Sequence, residues 1–381
     1  MILPPLSLYI HLPWCERKCP YCDFNSHEAD KLPEAEYVAA LVADLRADAP
    51  MAYGRTVQTV FMGGGTPSLF SSAAIARLLE AVSNLLPLQA NAEITMEANP
   101  GSAEAGKFRG FRRAGVNRLS LGIQSFSDRH LQTLGRVHTS AQARAAIELA
   151  HREFDNFNID LMHGLPGQST DEARNDLATA IDCSPTHLSW YQLTIEPNTR
   201  FFNDPPVLPR DDTLADIQAC GEALLATAGY SQYEVSAYST LARRSAHNLN
   251  YWTFGDYLGI GAGAHGKITH PDGRIERYSK VRQPADYLAR EAGNFIARKQ
   301  AVPPQDLPGE FAMNALRLRE GIDPVLYSQR TRQDSQTFIA TAQRLADRGL
   351  LLLEDGRMRA TALGFLHLDS VIAEFFPDAP R

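Results

Sequence analysis

Three cysteines fall within eight residues: Cys15, Cys19 and Cys22, in LPWCERKCPYCDFNSH (12–27). The spacing C-x3-C-x2-C crowds three soft sulfurs into one loop, and thiolates are metal ligands. Three is one short of a closed structural zinc site, and the second C-x2-C pair that such sites favour is missing. A Cys3His zinc site completed by His11 or His27 stays open. A cubane iron–sulfur cluster has four irons, each wanting one ligand beyond the sulfides. Three thiolates would leave one iron open to a small molecule that chelates through an amine and a carboxylate.

The elements that must position this loop alternate between strand and helix patterns. Strand-like runs are LSLYIHL (6–12), TVQTVFM (56–62), AEITMEA (92–98), NRLSLGIQS (117–125), NFNIDLMHG (156–164) and THLSWYQLT (186–194). Helix-like stretches lie near 33–48, 71–86, 102–114, 139–152, 169–182 and 211–228. A repeated β-α unit implies a parallel sheet. Six units predict an α/β fold built on a partial (β/α)6 barrel of TIM type; an open doubly wound sheet is the other parallel arrangement. Functional residues of such barrels gather at the C-terminal ends of strands. The cysteine loop follows the first strand and GGGTPS (63–68) the second. Glu97 ends the third, Gln124 the fourth, Asp160 and His163 the fifth, and Gln192 and Thr194 the sixth.

The totals narrow the classes. A chain of 381 residues supports more than one domain, and 44% hydrophobic with 21% charged residues describes an ordinary globular protein. A net charge of −7 gives little pull toward nucleic acid. No basic n-region opens the chain and no apolar run reaches membrane-span length, so neither a signal peptide nor a span is expected. Five cysteines, three of them crowded, argue for a reducing compartment and a metal site over a disulfide framework. Cys183 and Cys220 are expected as buried packing residues.

Three parts are expected: a barrel over 1–235, a linking region over 236–302, and a small domain over 303–381. The linking region reads as irregular, with GIGAGAHG (259–266) as a loop at the barrel's open end. Its formal G-x-G-x-x-G is discounted as a dinucleotide site, because no acidic residue follows at the right place. In the last part, helices near 308–319 and 335–348 precede a hairpin over 350–364 with an Asp-Gly turn. That order predicts an α+β, winged-helix-like domain.

The cysteine motif after a first barrel strand resembles the signature of the radical SAM superfamily, whose cofactor is S-adenosylmethionine (SAM). The resemblance implies a [4Fe-4S] cluster on Cys15, Cys19 and Cys22, SAM on the fourth iron, and a 5′-deoxyadenosyl radical on reductive cleavage. Gly64, Gly65 and Thr66 resemble the family's SAM-binding glycine motif. Glu97 in MEANP suits ribose hydroxyls or an ammonium. Gln124 in GIQSF, Arg136 in LGRVHT, Asp160 in NIDLMHGLPGQ and Tyr9 sit in segments resembling one subfamily. Tyr21 resembles the aromatic that packs by the adenine. His11, His163, His187 and His265 are expected as satisfied buried histidines or pocket walls, with His163 the best secondary candidate for touching SAM or substrate.

The whole chain is similar to the branch of oxygen-independent coproporphyrinogen III dehydrogenases and the heme chaperones that resemble them. The dehydrogenase carries a fourth cysteine where this chain has Phe24. It also carries a longer N-terminal arm, expected to be absent here because the first strand starts near residue 6. HNLNYW matches the chaperones' H-N-x-x-Y-W through His247, Asn248, Tyr251 and Trp252. The resemblance implies an imidazole ligand for heme iron with aromatics over the porphyrin. The plain alternative is a capped turn and a filled domain junction. The implied protein is cytoplasmic, a monomer or dimer, with heme, recipient apo-hemoproteins, a heme donor and a reducing electron donor as partners. Transient membrane contact stays open, and nucleic acid is not expected. The rivals are the dehydrogenase itself and an RNA-modifying radical SAM enzyme.

Overall fold

The computed structural model of the protein describes residues 2–102, 105–240 and 242–377. Six parallel strands follow chain order: β1 (Leu6–Leu12), β2 (Val57–Gly64), β3 (Leu88–Ala98), β4 (Arg118–Gln124), β5 (Phe157–His163) and β6 (His187–Gln192). Helices α1 (Glu34–Asp48), α2 (Ser72–Leu85), α3 (Ala105–Ala114), α4 (Ser140–Glu153) and α5 (Thr170–Asp182) lie between them, and α6 (Asp211–Thr227) follows. A doubly wound sheet reverses its strand order at a switch point between its βαβ units, and these six strands run straight through. The sequential order belongs to an open barrel.

Local chemistry sets these boundaries. Ser71 caps α2 through the Ala74 N–H, while Thr139–Gln142 and Ser169–Glu172 form capping boxes on α4 and α5. Each cap contributes about 1 kcal/mol. In β1 the alternation of LSLYIHL sends Leu6, Leu8, Ile10 and Leu12 outward, all fully buried. Each contributes roughly 2 kcal/mol of transfer free energy. Ser7, Tyr9 and His11 take the opposite face and line a polar lumen. There Ser7 Oγ meets Thr59 Oγ1 at 2.7 Å, and Asn158 Nδ2 donates to Asp160 Oδ1 at 2.7 Å.

The stretch expected to be irregular extends the sheet. Strand β7 (Asp256–Ile260) pairs parallel with β1, and antiparallel strands at His265–Thr269, Ile275–Lys280 and Ile296–Ala301 follow it. Buried charge hid them from a hydrophobicity reading. Lys267 Nζ contacts Asp256 Oδ1 at 2.9 Å, and Lys280 Nζ contacts Asp44 Oδ1 at 2.6 Å and Asp48 Oδ2 at 2.7 Å. Buried charges persist only when paired. HNLNYW forms helix α7 (Ala246–Trp252), capped by Ser245 rather than by a His-Asn pair. Cys183 and Cys220 are half-buried, so they pack less deeply than expected.

Residues after 302 build a second core around Phe311, Tyr327, Phe338 and Met358. Helices Leu307–Ala315, Val325–Thr331 and Gln336–Asp347 precede a hairpin of Leu351–Glu354 with Arg357–Ala360. Its turn residues, Asp355 and Gly356, sit at φ 52° and 70°, as a type I′ turn requires. Val325–Thr331 is a helix the sequence reading missed.

Candidate cluster and cofactor site

Cys15, Cys19 and Cys22 line one cavity of about 340 Å³ at the C-terminal mouth of the barrel. Each sulfur has polar neighbours. Thr66 Oγ1 donates to Cys15 Sγ at 3.6 Å, Arg136 Nη1 donates to Cys19 Sγ at 3.6 Å, and Ser26 Oγ lies 3.7 Å from Cys22 Sγ. Burial pushes the Cys15 and Cys22 thiols up, so metal binding there must displace protons. Among the described residues, no group of three or more His, Cys, Asp or Glu is placed to hold a single metal ion. His11, a candidate fourth zinc ligand, has both ring nitrogens engaged, by Tyr9 Oη at 3.0 Å and the Asn25 carbonyl at 2.9 Å. Three thiols around a cavity, each with a hydrogen-bonding neighbour, fit a cluster better than one ion.

The glycine motif meets the cysteine loop backbone to backbone. The Gly65 N–H donates to the Leu12 carbonyl at 2.8 Å and the Thr66 N–H to the Trp14 carbonyl at 2.7 Å. A Cβ on Gly65 would stand 2.5 Å from the Trp14 oxygen. Gly64 sits at φ 114°, and a Cβ there would strike the His11 ring at 2.4 Å. Both positions therefore require glycine.

The walls of this cavity hold Tyr21, Thr66, Glu97, Gln124, Arg136 and Asp160 together. Desolvation, then Asp160, pushes the Glu97 carboxyl up to about 8. Burial also raises Asp160, against hydrogen bonds from Ser189, Ser120 and Asn158. Two desolvated carboxyls facing one cavity favour a cationic ligand. Arg136 Nη2 donates to the Gly122 carbonyl at 2.7 Å, and its buried Nε has no partner among the described residues. Gln124 stands at φ 68°, a strained position for a non-glycine residue, and accepts from Tyr191 Oη at 2.9 Å.

Sequence reasoning missed Ser120, Ser189 and Tyr191, which also line the cavity. Their signal was the period-two alternation of β4 and β6. Gln192, chosen instead, is exposed on the other register, and Thr194 is also exposed. His163 packs its ring on Trp190 at 4.1 Å and does not line the cavity.

Tyr9 lies outside the cysteine cavity. It lines an adjoining one of about 550 Å³ with His11, Tyr251, Tyr257, His265 and Arg282. Phe24, Gly64 and Glu97 border both. The HNLNYW residues part company. His247 is 1% exposed, bonded to Thr59 Oγ1 at 2.8 Å and Tyr251 Oη at 2.9 Å. Trp252 faces the C-terminal core, under the Arg317 guanidinium at 4.3 Å. Only Tyr251 reaches the second cavity.

The radical SAM superfamily signature matches residues 9–180, and the HemN C-terminal domain matches residues 302–367. The chain is 56% identical to the heme chaperone HemW of Escherichia coli K12 over 320 residues, 84% of each chain. It is 40% identical to the heme chaperone HemW of Buchnera aphidicola (Acyrthosiphon pisum) over 98% of this chain and 99% of that one. The mitochondrial radical S-adenosyl methionine domain-containing protein 1 of Bos taurus is 36% identical over 96% and 86%. In fold it matches the E. coli coproporphyrinogen III oxidase HemN, a radical SAM enzyme, with TM-score 0.82 over 98% of this chain and 90% of that one, at 24% identity. The chain belongs to the HemW family of radical SAM proteins.

Proposed function

We propose that this protein is a heme chaperone. It holds a [4Fe-4S] cluster on Cys15, Cys19 and Cys22, binds SAM beside it, binds heme, and passes heme to apo-hemoproteins. The observation that carries this reading is 56% identity to a heme chaperone across 84% of both chains. A cluster bound here would supply one-electron chemistry toward SAM. The chain's own residues do the rest. Arg136 offsets negative charge at Cys19, the Gly64–Thr66 backbone approaches the amino-acid end of SAM, and Glu97 and Asp160 meet its cationic or hydroxyl groups. The working compartment is the cytoplasm; among the described residues no helix is long and apolar enough to cross a membrane. A heme donor, recipient hemoproteins and an electron donor are the partners.

The dehydrogenase reading is not favoured. Phe24 stands 61% exposed at the place where that enzyme carries a further cysteine, and the likeness to coproporphyrinogen oxidase at 24% identity is one of fold. Transfer kinetics test delivery. Heme-loaded, cluster-loaded protein mixed with an apo-hemoprotein should hand over heme at a rate unaffected by a scavenger of free heme. Transfer abolished by the scavenger would overturn delivery. Protoporphyrinogen formed from coproporphyrinogen III under reducing, SAM-replete conditions would restore the dehydrogenase.

A further inference from the structure

We propose that heme occupies the second cavity with His265 as its iron ligand and Arg282 as the partner of a propionate. In this arrangement His247 is a positioning residue that orients Tyr251. The inference rests on the heme-chaperone reading and adds the site.

An iron ligand must present a free ring nitrogen to a space large enough for a tetrapyrrole. The cavity's volume of about 550 Å³ lies in the range of small-molecule and cofactor sites. Two histidines line it, His11 and His265. His11 has both ring nitrogens engaged. His265 is exposed, and among the described residues its ring makes no hydrogen bond. Desolvation, then Arg277 and Arg282, lowers its pKa, which keeps the imidazole neutral and its lone pair available at neutral pH.

His247 offers the opposite case. Both of its nitrogens are bonded, and it lies deep in the lumen with its ring 5.1 Å from that of Phe61. Glu93 accepts from the Ala246 and His247 N–H groups at 3.1 and 3.0 Å, which fixes α7. Ligation by His247 would require breaking this set. Its bond to Tyr251 instead sets the ring of the one HNLNYW residue that faces the cavity.

Two carboxyls, Asp23 and Glu97, also line the cavity, which leaves Arg282 as the place for a propionate and the aromatic walls for the flat ring. Tyr251 and Tyr257 meet edge to face at 4.6 Å, and Phe24 leaves a large apolar ring uncovered at the mouth. Arg282 is exposed and forms no ion pair among the described residues, while Asn25 Nδ2 donates to its carbonyl at 2.8 Å and anchors its backbone. A guanidinium with free donors at the rim matches a carboxylate.

The test is an anaerobic titration of cluster-loaded protein with ferric heme, read by absorption and electron paramagnetic resonance. The His265→Ala variant should bind at least tenfold more weakly and lose the axial-imidazole signature, and added imidazole should restore that signature. Arg282→Gln should weaken binding several-fold with the spectrum unchanged. His247→Gln and Tyr251→Phe, which remove the same hydrogen bond, should weaken binding equally and keep the signature. An unchanged spectrum in His265→Ala, or loss of the signature in His247→Gln with the cluster intact, overturns the assignment alone. Wild-type protein that never saturates overturns the chaperone reading and the site with it.

Discussion

Glu97 Oε2 accepts the Gly64 N–H at 3.1 Å, which ties the carboxyl ending β3 to the glycine turn ending β2. With its pKa pushed up to about 8, this group holds a proton at pH 7 in the SAM-free protein. SAM, cationic at its sulfonium, favours the carboxylate. SAM affinity should therefore rise with pH and level off above about 8, with proton release on binding at pH 7. Calorimetry in buffers of different ionisation enthalpy reads that release. Glu97→Gln should flatten the profile and weaken SAM binding roughly tenfold to a hundredfold, the equivalent of about 1.5–3 kcal/mol for a hydrogen bond to a charged group. A flat wild-type profile would contradict this role.

Arg136 brings a cation to the cluster loop through its contact with Cys19. Positive charge favours the reduced, more negative cluster. Arg136→Gln should lower the midpoint potential by tens of millivolts, where about 59 mV is tenfold for one electron. Redox titration of the cluster's paramagnetic signal measures it, and an unshifted potential would count against the contact.

Gly65 has no room for a side chain, because its Cβ would meet backbone rather than a movable group. Gly65→Ala should push the cysteine loop off β2 and cut iron and labile sulfide per chain by more than half, while the C-terminal core stays folded. Full iron content in the variant would show that the turn yields.

His247 is held neutral, with its pKa pushed down to about 3 by burial and then by Arg118. Its folded value lies below its unfolded value, so the unfolded chain takes up the extra proton. The His247 contribution is complete above about pH 6.5 and is lost as pH drops toward 3. His163 and His138, both near 4, act in the same direction. Glu97, which keeps its proton up to about pH 8, acts in the opposite direction over the same range. The His247 contribution is therefore read by difference. On going from pH 7.5 to 5.5, the urea midpoint of His247→Gln should fall less, or rise more, than that of the wild type, and equal shifts would contradict the assignment. The variant should also cost about 1–3 kcal/mol at pH 7.5 by leaving Thr59 or Tyr251 less well paired.

The barrel was legible because its strands alternate apolar and polar residues, and because Ser71, Thr139 and Ser169 mark where helices begin. The cysteine cavity was legible because chemistry collects at one end of a parallel sheet. The edge strands were not, since Lys267 and Lys280 sit where a core pattern expects apolar residues and only long-range partners such as Asp256 and Asp44 justify them. The placement of His247 was not legible for a related reason. A six-residue match says nothing about which side of α7 faces the lumen, and the motif's three aromatic rings point to three environments.

The most direct measurement is the heme stoichiometry of anaerobically reconstituted, cluster-loaded protein. Saturable binding near one heme per chain is the result this account predicts. Absorbance that climbs linearly without saturation, as a porphyrin adsorbing to any apolar surface would give, contradicts it.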